Sequence, residues 1–145
     1  MAIKINTEKR IFTLETKHTM YQMQADTYGV LRHLWYGAKT GCDMSYLQDY
    51  SDVGFSGNPH DAGNDRTYSL DTLPLEYAGA GIGDFRVPAV EAVHADGSCA
   101  LDLRYYSHTV KQGKYAIAGL PALYAGEDEA ETLEVVLRDT LLRWK

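Results

Sequence analysis

The stretch from Ile3 to Tyr36 constrains the fold more than any other part of the chain. It divides into short runs that alternate apolar and polar residues, separated by turn-forming residues. Ile3 to Thr7 is the first run, and the charged Glu8 to Arg10 follow it as a turn. Ile11 to Thr16 is the second, and the Lys17-His18 step leads into a third at Thr19 to Ala25. Asp26-Thr27-Tyr28-Gly29 reads as a turn, with Gly29 available for positive φ. Val30 to Tyr36 is a fourth run, rich in branched and aromatic side chains and stopped by Gly37. Strands recurring about every ten residues with turn signals between them indicate a β-sandwich or barrel.

At 145 residues the chain fits one domain. Its 45% hydrophobic content supplies a core without a disulfide or metal staple. Eleven tyrosines outnumber three phenylalanines and two tryptophans. Rings with a polar tip suit half-wet surfaces, so this balance fits carbohydrate or subunit contact. The net charge of −6 and the lack of a basic stripe argue against nucleic acid. Neither a signal-peptide core nor an apolar run of about 20 residues is present, so membranes are not an expected partner. Cys42 and Cys99 lie far apart and suggest no disulfide framework, and a cytoplasmic location is expected.

Ala38 to about Asp65 is a long insertion rich in Gly, Asp and Asn. Connections of that length are functional or disordered. Tyr46, Tyr50 and Phe55 favour a loop that orders against something, another chain included. Further on, Ala89–His94 and Cys99–His108 flank Ala95-Asp96-Gly97-Ser98. Asp-Gly between alternating strands predicts a two-residue type I′ hairpin. That register pairs Val90 with Leu103, Ala92 with Leu101 and His94 with Cys99, and puts Glu91 beside Asp102 with Arg104 diagonal. Lys111 to Lys114 reads as a turn before a short strand around Tyr115 to Ala118. Near the end, Leu133, Val136, Leu137, Thr140 and Leu141 fall at helical spacing. Leu133, Val135 and Leu137 also alternate as a strand, and periodicity does not decide between the two.

Several blocks together resemble a known family. They are Gly29-Val30-Leu31-Arg32-His33-Leu34-Trp35-Tyr36-Gly37, Asp65-Arg66-Thr67-Tyr68-Ser69-Leu70-Asp71 with Glu76-Tyr77, and Gly83-Asp84-Phe85-Arg86-Val87-Pro88-Ala89. Leu103-Arg104-Tyr105, Ser107-His108, Gly113-Lys114, Gly119-Leu120-Pro121-Ala122 and Ala130 to Val135 follow in order. The series resembles the N-terminal domain of the melibiose- and raffinose-cleaving α-galactosidases of glycoside hydrolase family thirty-six. The resemblance implies an all-β fold, a β-supersandwich of two packed, mainly antiparallel sheets that normally precedes a (β/α)₈ barrel. It also implies a strand over Thr132 to Leu141. Leu141 to Lys145 stands where the family continues through a glycine turn into another strand, which implies a sandwich cut short.

In that family the catalytic carboxylates stand on the barrel, about 5–5.5 Å apart as retaining hydrolysis needs. No stretch here matches the barrel motifs, so no catalytic residue is expected and the chain alone should be inactive. The resemblance implies instead a homo-oligomer in which the long loop approaches a neighbour's sugar site through Asp52 and Arg66. A carboxylate accepts hydrogen bonds from sugar hydroxyls, and a guanidinium offers a rigid donor fork. The loop wording around Asp52 departs from the family's. α-Galactosides are thus the expected ligands, only together with the barrel, and neither cofactor nor metal is expected. Competing readings are a free-standing carbohydrate-binding module and a purely structural one. Glu76 with Asp84 as a glycosidase pair, Gly79 to Gly83 as a phosphate cradle, and His94 with Cys99 as a metal pair all read better as structural. So do His33 and Trp35 within their strand.

Overall fold

A computed structural model describes residues 2–48, 58–122, 124–126 and 129–141. Six strands form two antiparallel sheets: β1 (Ala2–Asn6), β2 (Ile11–Glu15), β3 (Thr19–Ala25) and β4 (Leu31–Ala38) in sequential order, and β5 (Leu103–Gln112) with β6 (Glu131–Asp139). The all-β, two-sheet expectation holds. The first four strands fall where their alternation puts them, except that β4 continues through Gly37 to Ala38. Gly37 pairs with Met20 in the β3–β4 ladder, because a glycine without a turn-forming neighbour weakens a strand without ending it.

β2 is buried on both faces, since Ile11 and Phe12 are adjacent and neither is exposed. Phe12 points toward the second sheet, its ring 4.9 Å from that of His108 and 6.0 Å from that of Tyr105 on β5. Ile11 points the other way and packs with Met20, Leu34 and Met44. Met44 belongs to the loop after β4, which folds back over the sheet. Gln22 fastens it there: its side-chain amide donates to Thr13 Oγ1 and to the Cys42 carbonyl, and its carbonyl accepts from Met44 N–H at 2.9 Å. A third cluster, Val30, Ala62, Tyr68, Leu70 and Leu73, lies under the connection to β5.

The C-terminal segment is a strand, and the helical spacing is coincidental. β6 pairs with β5 from Leu103↔Asp139 to Gln112↔Glu131, interrupted by a bulge between Tyr105 and Ser107. Leu133, Val135 and Leu137 share the inward face, which only the two-residue period of a strand allows. The Tyr115–Ala118 strand does not form. The segment finds no pairing partner among the described residues, Leu120 N–H turns back onto the Ile117 carbonyl at 3.1 Å, and Tyr115 and Ile117 are exposed.

The predicted hairpin is corrected in register. His94 N–H bonds the Ser98 carbonyl and Gly97 N–H bonds the His94 carbonyl, both at 2.9 Å, so the loop has three residues. A type I′ turn needs positive φ at both Asp96 and Gly97, whereas only Gly97 has it, at 85°. Gly97 therefore takes the left-handed position that follows a type I turn, and His94 faces Ser98 in place of Cys99. The expected Val90–Leu103 and Ala92–Leu101 pairs do not form either. Leu101 N–H bonds the Ala80 carbonyl at 2.8 Å, and Leu103 pairs with Asp139. Arg104 relieves Asp102 directly, its Nε 2.5 Å from Asp102 Oδ1.

No helix among the described residues is long and apolar enough to cross a membrane.

Candidate functional site

Arg66 stands exposed on a turn that its neighbours lock. Asp65 Oδ1 accepts from Thr67 N–H at 3.0 Å and from Thr67 Oγ1 at 2.6 Å, which fixes the backbone on both sides of Arg66. Asn58 Nδ2 donates to the Asp65 carbonyl, tying the far end of the long loop to the same turn. The bonds from Thr67, its hydroxyl first, hold the Asp65 carboxyl below the usual carboxylate range. Immediately downstream, Tyr68, Ser69 and Leu70 plunge into the core. Arg66 is thus presented at the surface by an anchored platform. Asp52, Tyr50 and Phe55 lie outside the described residues.

Beside this turn is a polar cavity of about 350 Å³ lined by Asp26, Arg32, Gln48, Asp65, Thr67 and Tyr68, among others. Its centre of charge is Asp26, a buried carboxylate at the end of β3. Asp26 Oδ1 accepts from the N–H groups of Tyr28 and Val30, both at 2.9 Å, and Oδ2 accepts from the Tyr68 hydroxyl at 2.5 Å. Burial, reinforced by Asp26, pushes the Tyr68 hydroxyl well above the normal tyrosine range, so it stays a donor. Arg32 Nε lies 3.6 Å from Asp26 Oδ2, with its guanidinium carbon 5.9 Å from the centre of the Tyr68 ring. Arg32 and Gln48 both line this cavity, and Arg32 Nε and Gln48 Oε1 are buried with no hydrogen-bond partner among the described residues.

Sequence reasoning passed over Asp26, Arg32 and Gln48 as site residues. Asp26 was legible only as the first residue of a turn, which is the local part of its role. Nothing local indicates that Tyr68, far along the chain, supplies the third hydrogen bond to its carboxylate.

The remaining candidates are structural. Glu76 bonds His33 Nδ1 at 2.8 Å through Oε1 and accepts from the Tyr21 hydroxyl through Oε2. Burial, followed by that bond, raises the Tyr21 hydroxyl far above its usual range. Asp84 is clamped by Arg86, whose N–H, Nε and Nη2 all reach it at 2.9–3.0 Å. Burial alone would raise the Asp84 carboxyl, but the bonds from Arg86 prevail and hold it down. Gly79 is a close-packing residue: a Cβ there would stand 2.4 Å from the Leu101 carbonyl oxygen. His94 Nε2 meets the Ala100 carbonyl at 2.9 Å and Asp139 Oδ2 at 3.4 Å, whereas Cys99 Sγ donates to the Gly97 carbonyl. Trp35 donates its indole N–H to the Ala38 carbonyl within its own strand region.

Two antiparallel sheets that meet through Phe12, with the connection after β4 folded back over the first of them, define a β-sandwich domain. The chain belongs to the glycosyl hydrolase family 36 N-terminal domain family, whose model matches residues 29–145. It is 53% identical over 139 residues to the bifunctional alpha-galactosidase/sucrose kinase AgaSK of Mediterraneibacter gnavus, a match covering 96% of this chain and 15% of that protein. It is 41% identical over 145 residues to the alpha-galactosidase AgaA of Geobacillus stearothermophilus, covering 98% and 20%. The fold superposes on the galactosidase domain of AgaSK with a TM-score of 0.91 at 52% identity, covering 97% of this chain and 20% of that one. The chain therefore spans a fifth or less of the length of these relatives.

Proposed function

We propose that this chain serves as the N-terminal accessory part of a cytoplasmic α-galactosidase that hydrolyses terminal α-galactosides such as melibiose and raffinose. In this reading it supports oligomerisation and lends Asp52 and Arg66 to a neighbouring subunit's sugar site, while the nucleophile and acid/base reside on a separate catalytic barrel. The observation that carries the reading is the presentation of Arg66: an exposed residue on a turn pinned by Asp65, Thr67 and buried Tyr68. A guanidinium is a rigid donor fork suited to the hydroxyl oxygens of a sugar. The two free, exposed cysteines, Cys42 and Cys99, fit a reducing compartment.

The test exchanges this chain for the corresponding residues of the Mediterraneibacter gnavus enzyme and compares the hybrid with its Arg66→Ala variant. The expected result is an active hybrid whose kcat/KM for melibiose falls about tenfold or more in the variant, as for loss of a charged hydrogen bond. Unchanged kinetics in the variant would remove Arg66 from the sugar site.

A second reading, a sugar-binding module acting alone, is favoured by the polar cavity that Asp26, Arg32, Gln48, Asp65 and Thr67 line. Titration of the chain with galactose and melibiose, followed by NMR, separates the two. Saturable binding lost in Gln48→Leu supports the module; no binding at millimolar sugar leaves only the accessory role.

A further inference from the structure

Two turns of this chain share one local motif, in which an aspartate accepts from the backbone N–H two residues on: Asp65 from Thr67 and Asp84 from Arg86, both at 3.0 Å. They differ in the side chain at that second position. In the Asp84 turn it is Arg86, whose Nε reaches Oδ1 at 2.9 Å and whose Nη2 reaches Oδ2 at 3.0 Å. That guanidinium is engaged by its own turn and by the Leu70 carbonyl. In the Asp65 turn the second position is Thr67, whose hydroxyl takes Oδ1 at 2.6 Å. The arginine of this turn, Arg66, stands one place earlier, at the exposed corner. Thr67 thus occupies the carboxylate oxygen that draws the arginine inward in the Asp84 turn.

The backbone around Arg66 is closed from several sides. Tyr68 N–H bonds the Asp65 carbonyl at 3.2 Å, and Asp65 N–H bonds the Ala62 carbonyl at 3.1 Å. Downstream, the Tyr68 ring is buried edge-on against Tyr28 at 4.8 Å, with its hydroxyl on Asp26. On the solvent side, among the described residues, the Thr67 hydroxyl is the side-chain donor to the Asp65 carboxylate.

We propose that Thr67 is a positioning residue for Arg66. Its hydroxyl locks the Asp65 carboxylate onto the turn and so fixes the backbone from which the long arginine side chain meets a sugar. A flexible stem reaches one geometry reproducibly only from a fixed origin, and a displacement of about 1 Å removes much of such a contact. Thr67 acts through Arg66 and needs no contact with the sugar itself. The inference rests on the proposed contact between Arg66 and a sugar, and adds the residue that sets it.

The test uses the hybrid with the Mediterraneibacter gnavus enzyme. Thr67→Val keeps the branched shape and the backbone N–H and removes only the hydroxyl. The expected result is a kcat/KM for melibiose lowered about threefold or more through KM, with kcat held, as for a weakened binding contact. Thr67→Ser, which keeps the hydroxyl, should restore KM. On an Arg66→Ala background, Thr67→Val should change KM no further, because the two residues act as one unit. Position 67 is exposed, and thermal melting of each variant reads any loss of fold separately. Unchanged KM in Thr67→Val beside a raised KM in Arg66→Ala overturns this inference and leaves the Arg66 contact standing. An equal loss on both backgrounds also overturns it, since Thr67 would then act independently of Arg66. Arg66→Ala without effect overturns the sugar contact, and the inference with it.

Discussion

The Tyr68 hydroxyl donates to Asp26 Oδ2 at 2.5 Å, joining residues 42 positions apart. One bond thus connects the β3–β4 turn to the middle of the long β4–β5 connection, directly under the platform that carries Arg66. Its two ends are of different origin. Asp26 is set by local turn chemistry, and Tyr68 is delivered by packing with Val30, Leu70 and Leu73.

Tyr68→Phe keeps the ring and removes the donor. Loss of a buried hydrogen bond to a charged group should cost about 1.5–3 kcal/mol. Urea denaturation at neutral pH measures it, and a change under 0.5 kcal/mol would show that the bond contributes little.

Arg86→Ala should destabilise by about 1–3 kcal/mol, because Asp84 would be left buried with three bonds removed or loosened. Asp84→Asn, which can still accept from Arg86, should cost less. The two midpoints in urea give the comparison.

Gly79→Ala tests close packing. The added Cβ would sit 2.4 Å from the Leu101 carbonyl, so the Ala78–Ala80 segment must shift away from Leu101. The expected loss is about 1–3 kcal/mol, with faster amide exchange at Leu101, whose N–H bonds Ala80.

Asp43 provides a pH-dependent contribution. The bond from Lys9, followed by those from Ser45, lowers its carboxyl to about 2 from an ordinary 3.8. A depressed folded-state value means the stabilisation is fully present above about pH 4 and is lost as pH falls toward 2. The pair is solvent-exposed, so screening reduces it to about 0.5 kcal/mol. The stability difference between wild type and Asp43→Asn should be flat at neutral pH and vanish near pH 2.

Much of the first sheet was legible because local patterns coincide with its tertiary arrangement. β1 alternates, β4 is rich in branched and aromatic residues, turn residues separate the runs, and consecutive strands pair with their sequence neighbours. The hairpin at Gly97 was legible as a turn and not in its register. Asp-Gly serves both a two-residue turn and a type I turn with a left-handed glycine, and the partner of Leu101 is Ala80, not the facing strand. The C-terminal segment satisfied a helical and a strand period together, and pairing with β5 decided between them. Of the site, Arg66 was named from its motif, but the cavity beside it was not, since Arg32, Gln48 and Tyr68 meet only in the folded chain.

The sequence by itself determined where the four strands of the first sheet lie and that Gly29 turns the chain between β3 and β4. These follow from alternation, φ preference and residue chemistry, which act over a few positions. Only the tertiary structure decided which residues converge on Asp26 and which neighbour each strand accepts. Those outcomes depend on long-range burial and hydrogen-bond satisfaction, whose partners lie tens of residues apart and leave no periodic trace in the chain.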